Sequence, residues 1–150
     1  MVDKAKIDNG RIAIVRVRGL TGVRHDIDET LIKLRLYNKN YCVVVHGTSG
    51  CMGMIKKVKD YVTWGSIDEN TYNALIVKRS EEYKGRISDR KEKIKYNRFI
   101  EINGKKIKKF FRLNSPRKGY GRKGIKVSFK NKGALGFRGD KINDLIQRMI

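Results

Sequence analysis

Residues 12–19 read IAIVRVRG, and their alternation decides how the first half of the chain folds. By the two-residue period of a β-strand, Ala13, Val15 and Val17 share one face, while Ile12, Ile14, Arg16 and Arg18 share the other. Two arginines on one sheet face suit either a solvated surface or a phosphate platform. Ahead of the strand, residues 1–10 are polar and read as a loose lead. Behind it, residues 19–25 turn the chain. Asp26 is placed as an N-cap with Glu29 three residues on, the spacing of a capping box. The helix it opens is expected to run to about Tyr37, burying Ile27, Leu31 and Leu34.

Residues 41–46, YCVVVH, form a second apolar strand. Thr48 or Ser49 then caps a helix over roughly 50–62. Met54, Val58 and Tyr61 line one face of it, joined by Ile55 and Val62, with Lys56, Lys57 and Lys59 opposite. Residues 63–67, TWGSI, give a third strand, and Asp68 caps a third helix to about Lys78 with Tyr72, Leu75 and Ile76 inward. The order β-α-β-α-β, then α, predicts an α+β domain in which two helices cover one face of a small sheet.

Charge divides the chain. Residues 1–75 hold 12 basic and 8 acidic side chains, whereas residues 76–150 hold 24 and 7, and the whole chain carries +21. Residues 80–96 are charged and poor in apolar side chains, which marks a boundary or insert. Asn103-Gly104 signals a type I′ hairpin that pairs Ile102 with Lys105, Glu101 with Lys106 and Ile100 with Ile107. Its second strand is expected to continue to Leu113, with Pro116 as its stop. A loop over 117–124 leads to a strand over 125–129, and a last helix starts at Asp140 with Ile142, Leu145, Ile146 and Met149 buried. The domain division expected is 11–79 as core, 80–109 as basic insert and 110–150 as a basic, β-rich extension ending in a helix.

Residues 102–139 contain thirteen Lys and Arg, seven Gly and no Asp or Glu. Such a run repels itself and calls for an external polyanion. Nucleic acid fits, because neutralising phosphates releases condensed counterions, and glycines let backbone N–H groups approach phosphates. Within it, Arg117, Lys118, Arg122 and Lys123 are the preferred phosphate ligands, joined by Arg112, Lys126, Lys130, Lys132 and Arg138. Arg16, Arg18, Lys56, Lys57 and Lys59 extend the expected surface from the core. Tyr120, between Lys118 and Arg122, is placed to stack on an exposed base. Trp64 is read as core.

Other chemistries find little support. Gly119-Tyr-Gly121-Arg-Lys-Gly124 matches GxGxxG, but a dinucleotide site needs a helix directly after it, and the following IKVSF is β-patterned. His25 and His46 join no nucleophile–base set, and the acids cluster at helix starts, where capping explains them. Cys42 and Cys51 lack CxxC spacing, so no zinc site is expected. Their scarcity suits a reducing cytoplasm. No hydrophobic span, signal peptide or lipidation motif points to a membrane, and no small-molecule substrate is implied.

Several segments together resemble one family. They are IAIVRVRG, DETLIKLRL (28–36), YCVVV (41–45), GMIKKVKDYVTWGSID (53–68), FRLNSPRKG (111–119), GIKVSF (124–129) and GALGFRGDKINDLIQRM (133–149). They are similar to the large-subunit ribosomal protein thirty family, in the archaeal form related to the eukaryotic large-subunit protein seven. KVKDYVTWG and GALGFRG are the most specific. The resemblance implies a β-α-β-α-β core with a small antiparallel sheet, similar to a ferredoxin-like arrangement. It also implies a noncatalytic, cofactor-free role in the large ribosomal subunit, beside large-subunit rRNA, 5S rRNA and neighbouring proteins. Two departures stand out: Ser115 replaces a usual proline, and residues 81–109 are shorter and more basic than the family's acidic helical insert. The rival functions are an architectural DNA binder and an RNA-modifying enzyme.

Overall fold

The computed structural model describes residues 10–150, so the polar lead expected over residues 1–10 lies outside the described residues except for Gly10. In chain order the elements are β1 (Arg11–Arg16), α1 (His25–Lys33), β2 (Tyr41–His46), α2 (Ser49–Lys57), β3 (Val62–Ser66) and α3 (Glu69–Arg79). They continue with β4 (Phe99–Ile102), β5 (Lys105–Lys108), β6 (Phe111–Arg112), β7 (Gly136–Phe137) and α4 (Lys141–Met149). The fold is α+β.

β1 is the centre of a five-stranded sheet ordered β6-β2-β1-β3-β7. It pairs antiparallel with β2, Val15 opposite Cys42, and with β3, Val15 opposite Thr63. β6 continues the antiparallel pattern beyond β2, whereas β7 joins β3 in parallel, so the full sheet is mixed.

Both faces of this sheet are covered, which explains why β1 is apolar at nearly every position. Ile12 and Ile14 pack with Leu31, Leu34, Ile55 and Val58 on one side. Ala13 and Val15 pack on the other with Leu75, Phe111, Leu113 and the Ile142, Leu145, Ile146 and Met149 stripe of α4. Two helices cover the first face, as the sequence predicts. The second face is closed by α3 and by α4, so residues 110–150 contribute to the same core as residues 11–79.

Several local expectations are corrected. Asp26 is not the N-cap of α1: Arg24 takes that position with no side-chain cap bond, and the Asp26 carbonyl instead accepts from Thr30 Oγ1 at 2.9 Å. α1 stops at Lys33 because Arg35 turns into the left-handed region (φ 61°), which returns the chain to the start of β2. α2 likewise ends at Lys57, five residues early, since Val62 already belongs to β3. Thr48 does cap α2, its hydroxyl accepting from Cys51 N–H at 3.3 Å.

The β4–β5 hairpin has the expected register, with Asn103 at φ 51° and Gly104 at φ 76° in the turn. β5 does not run to Leu113, however. It ends at Lys108, and a break at 109–110 lets β6 pair with β2 instead. Residues 81–83 flank β5, with Tyr83 N–H on Lys106 O and Lys108 N–H on Glu81 O, each at 2.9 Å. The strand expected over 125–129 is also absent as a ladder element among the described residues. Ser128 makes a single parallel bridge to Leu135, and Phe129–Asn131 form a 3-10 turn. Ile125 turns inward against the Val17, Ala134 and Leu135 cluster, so its apolar pattern reports packing rather than pairing.

Candidate nucleic-acid interface

The strand register gathers cations at one end of the sheet. β1 finishes at Arg16, opposite the first residue of β3, Val62, and next to the start of β2 at Tyr41. β6 ends beside Tyr41, through Arg112, and β7 begins beside Thr63, through Gly136. The long segment from 113 to 135 therefore leaves and re-enters the fold at this same end. So do the turn after β1, with Arg18, and the turn between α2 and β3, with Lys59.

Internal bonds hold the long segment in place. Lys123 N–H donates to Lys132 O at 3.1 Å, which sets Arg122 and Lys123 beside Lys132. Arg148 Nη1 donates to Arg117 O at 2.9 Å and Gly119 O at 2.8 Å, fastening the glycine turn to α4. Lys118 (φ 65°), Gly119 (φ 74°) and Gly124 (φ 84°) take left-handed conformations, so the chain reverses tightly there. The GxGxxG match is followed by a turn rather than a helix, and lacks the helix N-terminus that a pyrophosphate needs.

Most expected phosphate ligands are exposed. Arg117, Lys118, Arg122, Lys123, Lys126, Lys130 and Lys132 are exposed along the long segment, as are Lys56 and Lys57 at the end of α2 and Lys59 in the turn after it. Arg18 is half-buried, with its guanidinium 5.0 Å from the Tyr61 ring centroid. Arg112 is exposed but paired with Glu81, which also takes Lys108 at 2.8 Å. These two hydrogen bonds, Arg112 first, hold the Glu81 carboxyl below its ordinary range.

Three expected ligands serve the fold instead. Arg16 is 1% exposed, and its guanidinium donates to the carbonyls of Leu36 (2.7 Å), Gly19 (3.1 Å) and Arg18 (3.0 Å). Burial lowers its pKa, and it ties the turn after β1 to the α1–β2 link. Arg138 is 6% exposed and donates to Thr63 Oγ1, Tyr120 O and Ala134 O. Tyr120 lies half-buried against the core with its hydroxyl on Asn40 Oδ1, so its ring is no open stacking platform, and burial pushes its pKa up to about 12. Alternation and composition cannot separate such inward arginines from outward ones. The signal available was position: Arg16 continues a strand buried on both faces.

Sequence reasoning also passed over Lys33, Arg35, Tyr37, Tyr83 and Arg98, which meet beside the end of α1. Helical periodicity carried α1 through Tyr37 and so hid the turn that brings them together. Among the described residues no cluster of His, Cys, Asp or Glu could hold a metal ion, and no helix is long and apolar enough to cross a membrane.

Comparison with known proteins agrees with this architecture. The family described as ribosomal protein L30p/L7e matches residues 12–62, from β1 to the start of β3. Large ribosomal subunit protein uL30 of Nanoarchaeum equitans is 51% identical, with 92% of this chain and 97% of that protein aligned. The uL30 protein of Methanococcus maripaludis is 47% identical over 92% and 98%, and that of Methanopyrus kandleri 42% over 89% and 100%. Likeness of this degree along almost the whole chain means that the chain belongs to the L30p/L7e family of large-subunit ribosomal proteins.

Proposed function

We propose that this chain, as a structural and noncatalytic protein of the large ribosomal subunit, binds large-subunit rRNA and 5S rRNA and holds folded RNA segments together by charge neutralisation. The observation that carries this reading is the convergence of exposed Lys and Arg from α2 and residues 117–132 at one end of the sheet. Released counterions supply the driving force, and the rigid core supplies the spacing. Recognition then follows RNA shape more than base sequence. The ligand set is Arg18, Lys56, Lys57, Lys59, Arg117, Lys118, Arg122, Lys123, Lys126, Lys130 and Lys132. Arg112 contributes from the β6 edge while shared with Glu81, and Arg16, Tyr120 and Arg138 act beneath this surface by shaping it. The site of action is the cytoplasmic ribosome, among neighbouring large-subunit proteins.

The test is a competition at matched salt between folded large-subunit rRNA, 5S rRNA and duplex DNA for the full chain. Preference for both RNAs supports the reading. Retention of the large rRNA alone removes 5S rRNA from it, and preference for duplex DNA favours an architectural DNA binder instead.

A further inference from the structure

Beside the end of α1, the helix, the insert and the β5–β6 link line an open cavity of about 420 Å³. That is within the range of roughly 300–1,000 Å³ typical of small-ligand sites. None of the cations of residues 117–132 lines it. Its walls are aromatic. Tyr37 and Phe110 meet edge to face at 5.6 Å, Phe110 is backed by stacking on Tyr41 at 5.3 Å, and Tyr83 is backed by Phe99 at 5.4 Å. The rings are thus held by neighbours rather than free to fold away.

Its rim is cationic. Lys33, Arg35 and Arg98 line it, and no described Asp or Glu does. Arg35 is fixed by its left-handed backbone and by donating Nη2 to Asn97 O at 2.9 Å, which engages one of its five N–H groups. Lys109, bound to the same Asn97, has a lowered pKa from burial and from the Arg35 charge. Positive charge here exceeds what Glu81 balances through Lys108.

We propose that this cavity receives one unstacked nucleotide of bound RNA, its base against the Tyr37, Tyr83 and Phe110 rings and its phosphate on Lys33, Arg35 and Arg98. The proposal rests on the RNA-binding reading above and adds a site to it. Rings with cations at their edge match a nucleotide, whose base offers a π-face and whose phosphate offers the charge. An acidic protein segment would satisfy the cations and leave the rings unused.

The experiment measures the affinity of the full chain, at fixed low salt, for an RNA hairpin with one bulged adenosine and for the same hairpin with that position abasic. The expected result is roughly 5- to 100-fold weaker binding of the abasic hairpin. Tyr37→Ala should abolish that difference and Tyr37→Phe, which keeps the ring, should retain it. Arg98→Gln, at an exposed position, should weaken both hairpins alike. Equal affinity of wild type for the two hairpins overturns the cavity while leaving RNA binding intact. Failure to bind either hairpin while folded rRNA still binds overturns the cavity alone, and failure to bind folded rRNA as well overturns the broader reading with it. If the hairpins bind equally and a glutamate-rich peptide binds wild type but not Arg98→Gln, the occupant is an acidic protein segment and the proposal is wrong.

Discussion

Arg138 reaches from the turn before α4 to Thr63 of β3, its Nε donating to Thr63 Oγ1 at 2.9 Å. Its Nη2 donates to Tyr120 O at 2.8 Å and Ala134 O at 3.1 Å, so one guanidinium closes both ends of the basic segment on the sheet. Burial, more than the charge of nearby Arg148, pushes its pKa down to about 10. Arg138→Ala should cost on the order of a few kcal/mol, because it leaves buried carbonyls unpaired. RNA binding should weaken while its salt dependence stays constant, since the Arg138 guanidinium is buried and taken up by these three acceptors. Denaturant unfolding and binding at several salt concentrations check both parts.

Gly65 sits where β3, the turn before α4 and α4 itself touch. A Cβ there would fall 2.1 Å from Gly139 O and 3.0 Å from Ile142 Cβ. Backbone cannot yield as a long side chain does, so Gly65→Ala should destabilise by at least about 1–3 kcal/mol, as overpacking does. Gly19→Ala, with nothing within 4 Å of the added carbon, should be nearly neutral. Thermal unfolding of the two variants side by side measures the contrast.

Val58 caps α2 and is fully buried among Ile55, Leu31 and Val62. Val58→Asp should destabilise by several kcal/mol, on the order expected for an unpaired buried charge. Unaltered unfolding would mean that α2 presents a different face to the sheet.

Cys42 gives a pH dependence with a definite sign. Burial pushes its thiol from the ordinary 9.0 up to about 12. Below pH 9 folded and unfolded chains both keep the proton, so the contribution is fully present. Between about 9 and 12 the unfolded chain releases a proton that the folded chain retains, and stability falls by up to about 1.4 kcal/mol per pH unit. Cys42→Ala should lack that component, which the difference between two pH–stability profiles isolates. Alkylation at neutral pH should modify half-exposed Cys51 and reach Cys42 only on unfolding.

The core was legible because periodicity reports burial directly. The IAIVR alternation, the four-residue stripe of α4 and the Asn103-Gly104 turn each act locally, and each appears where expected. Where a local pattern met a tertiary demand it misled. Arg35 breaks α1 against its helical spacing because the chain must reach β2, and Ile125 points into a cluster although IKVSF alternates like a strand. The cationic surface was legible as composition and less so residue by residue. Nothing in the letters separates Arg138, clasped to Thr63, from exposed Arg122. The cavity beside α1 could not be read at all, since Tyr37, Tyr83 and Phe110 lie far apart in sequence and meet only through the insert.

The most direct measurement is the salt dependence of rRNA binding by wild type and by a variant with Arg117, Lys118, Arg122 and Lys123 all changed to Gln. These four side chains are exposed on a segment pinned to the sheet by Arg138 and to α4 by Arg148, so their replacement should leave folding intact. If they meet phosphates, the slope of log affinity against log salt should become shallower by roughly 0.7 for each phosphate no longer neutralised. A slope identical to that of wild type would contradict RNA binding through this end of the sheet.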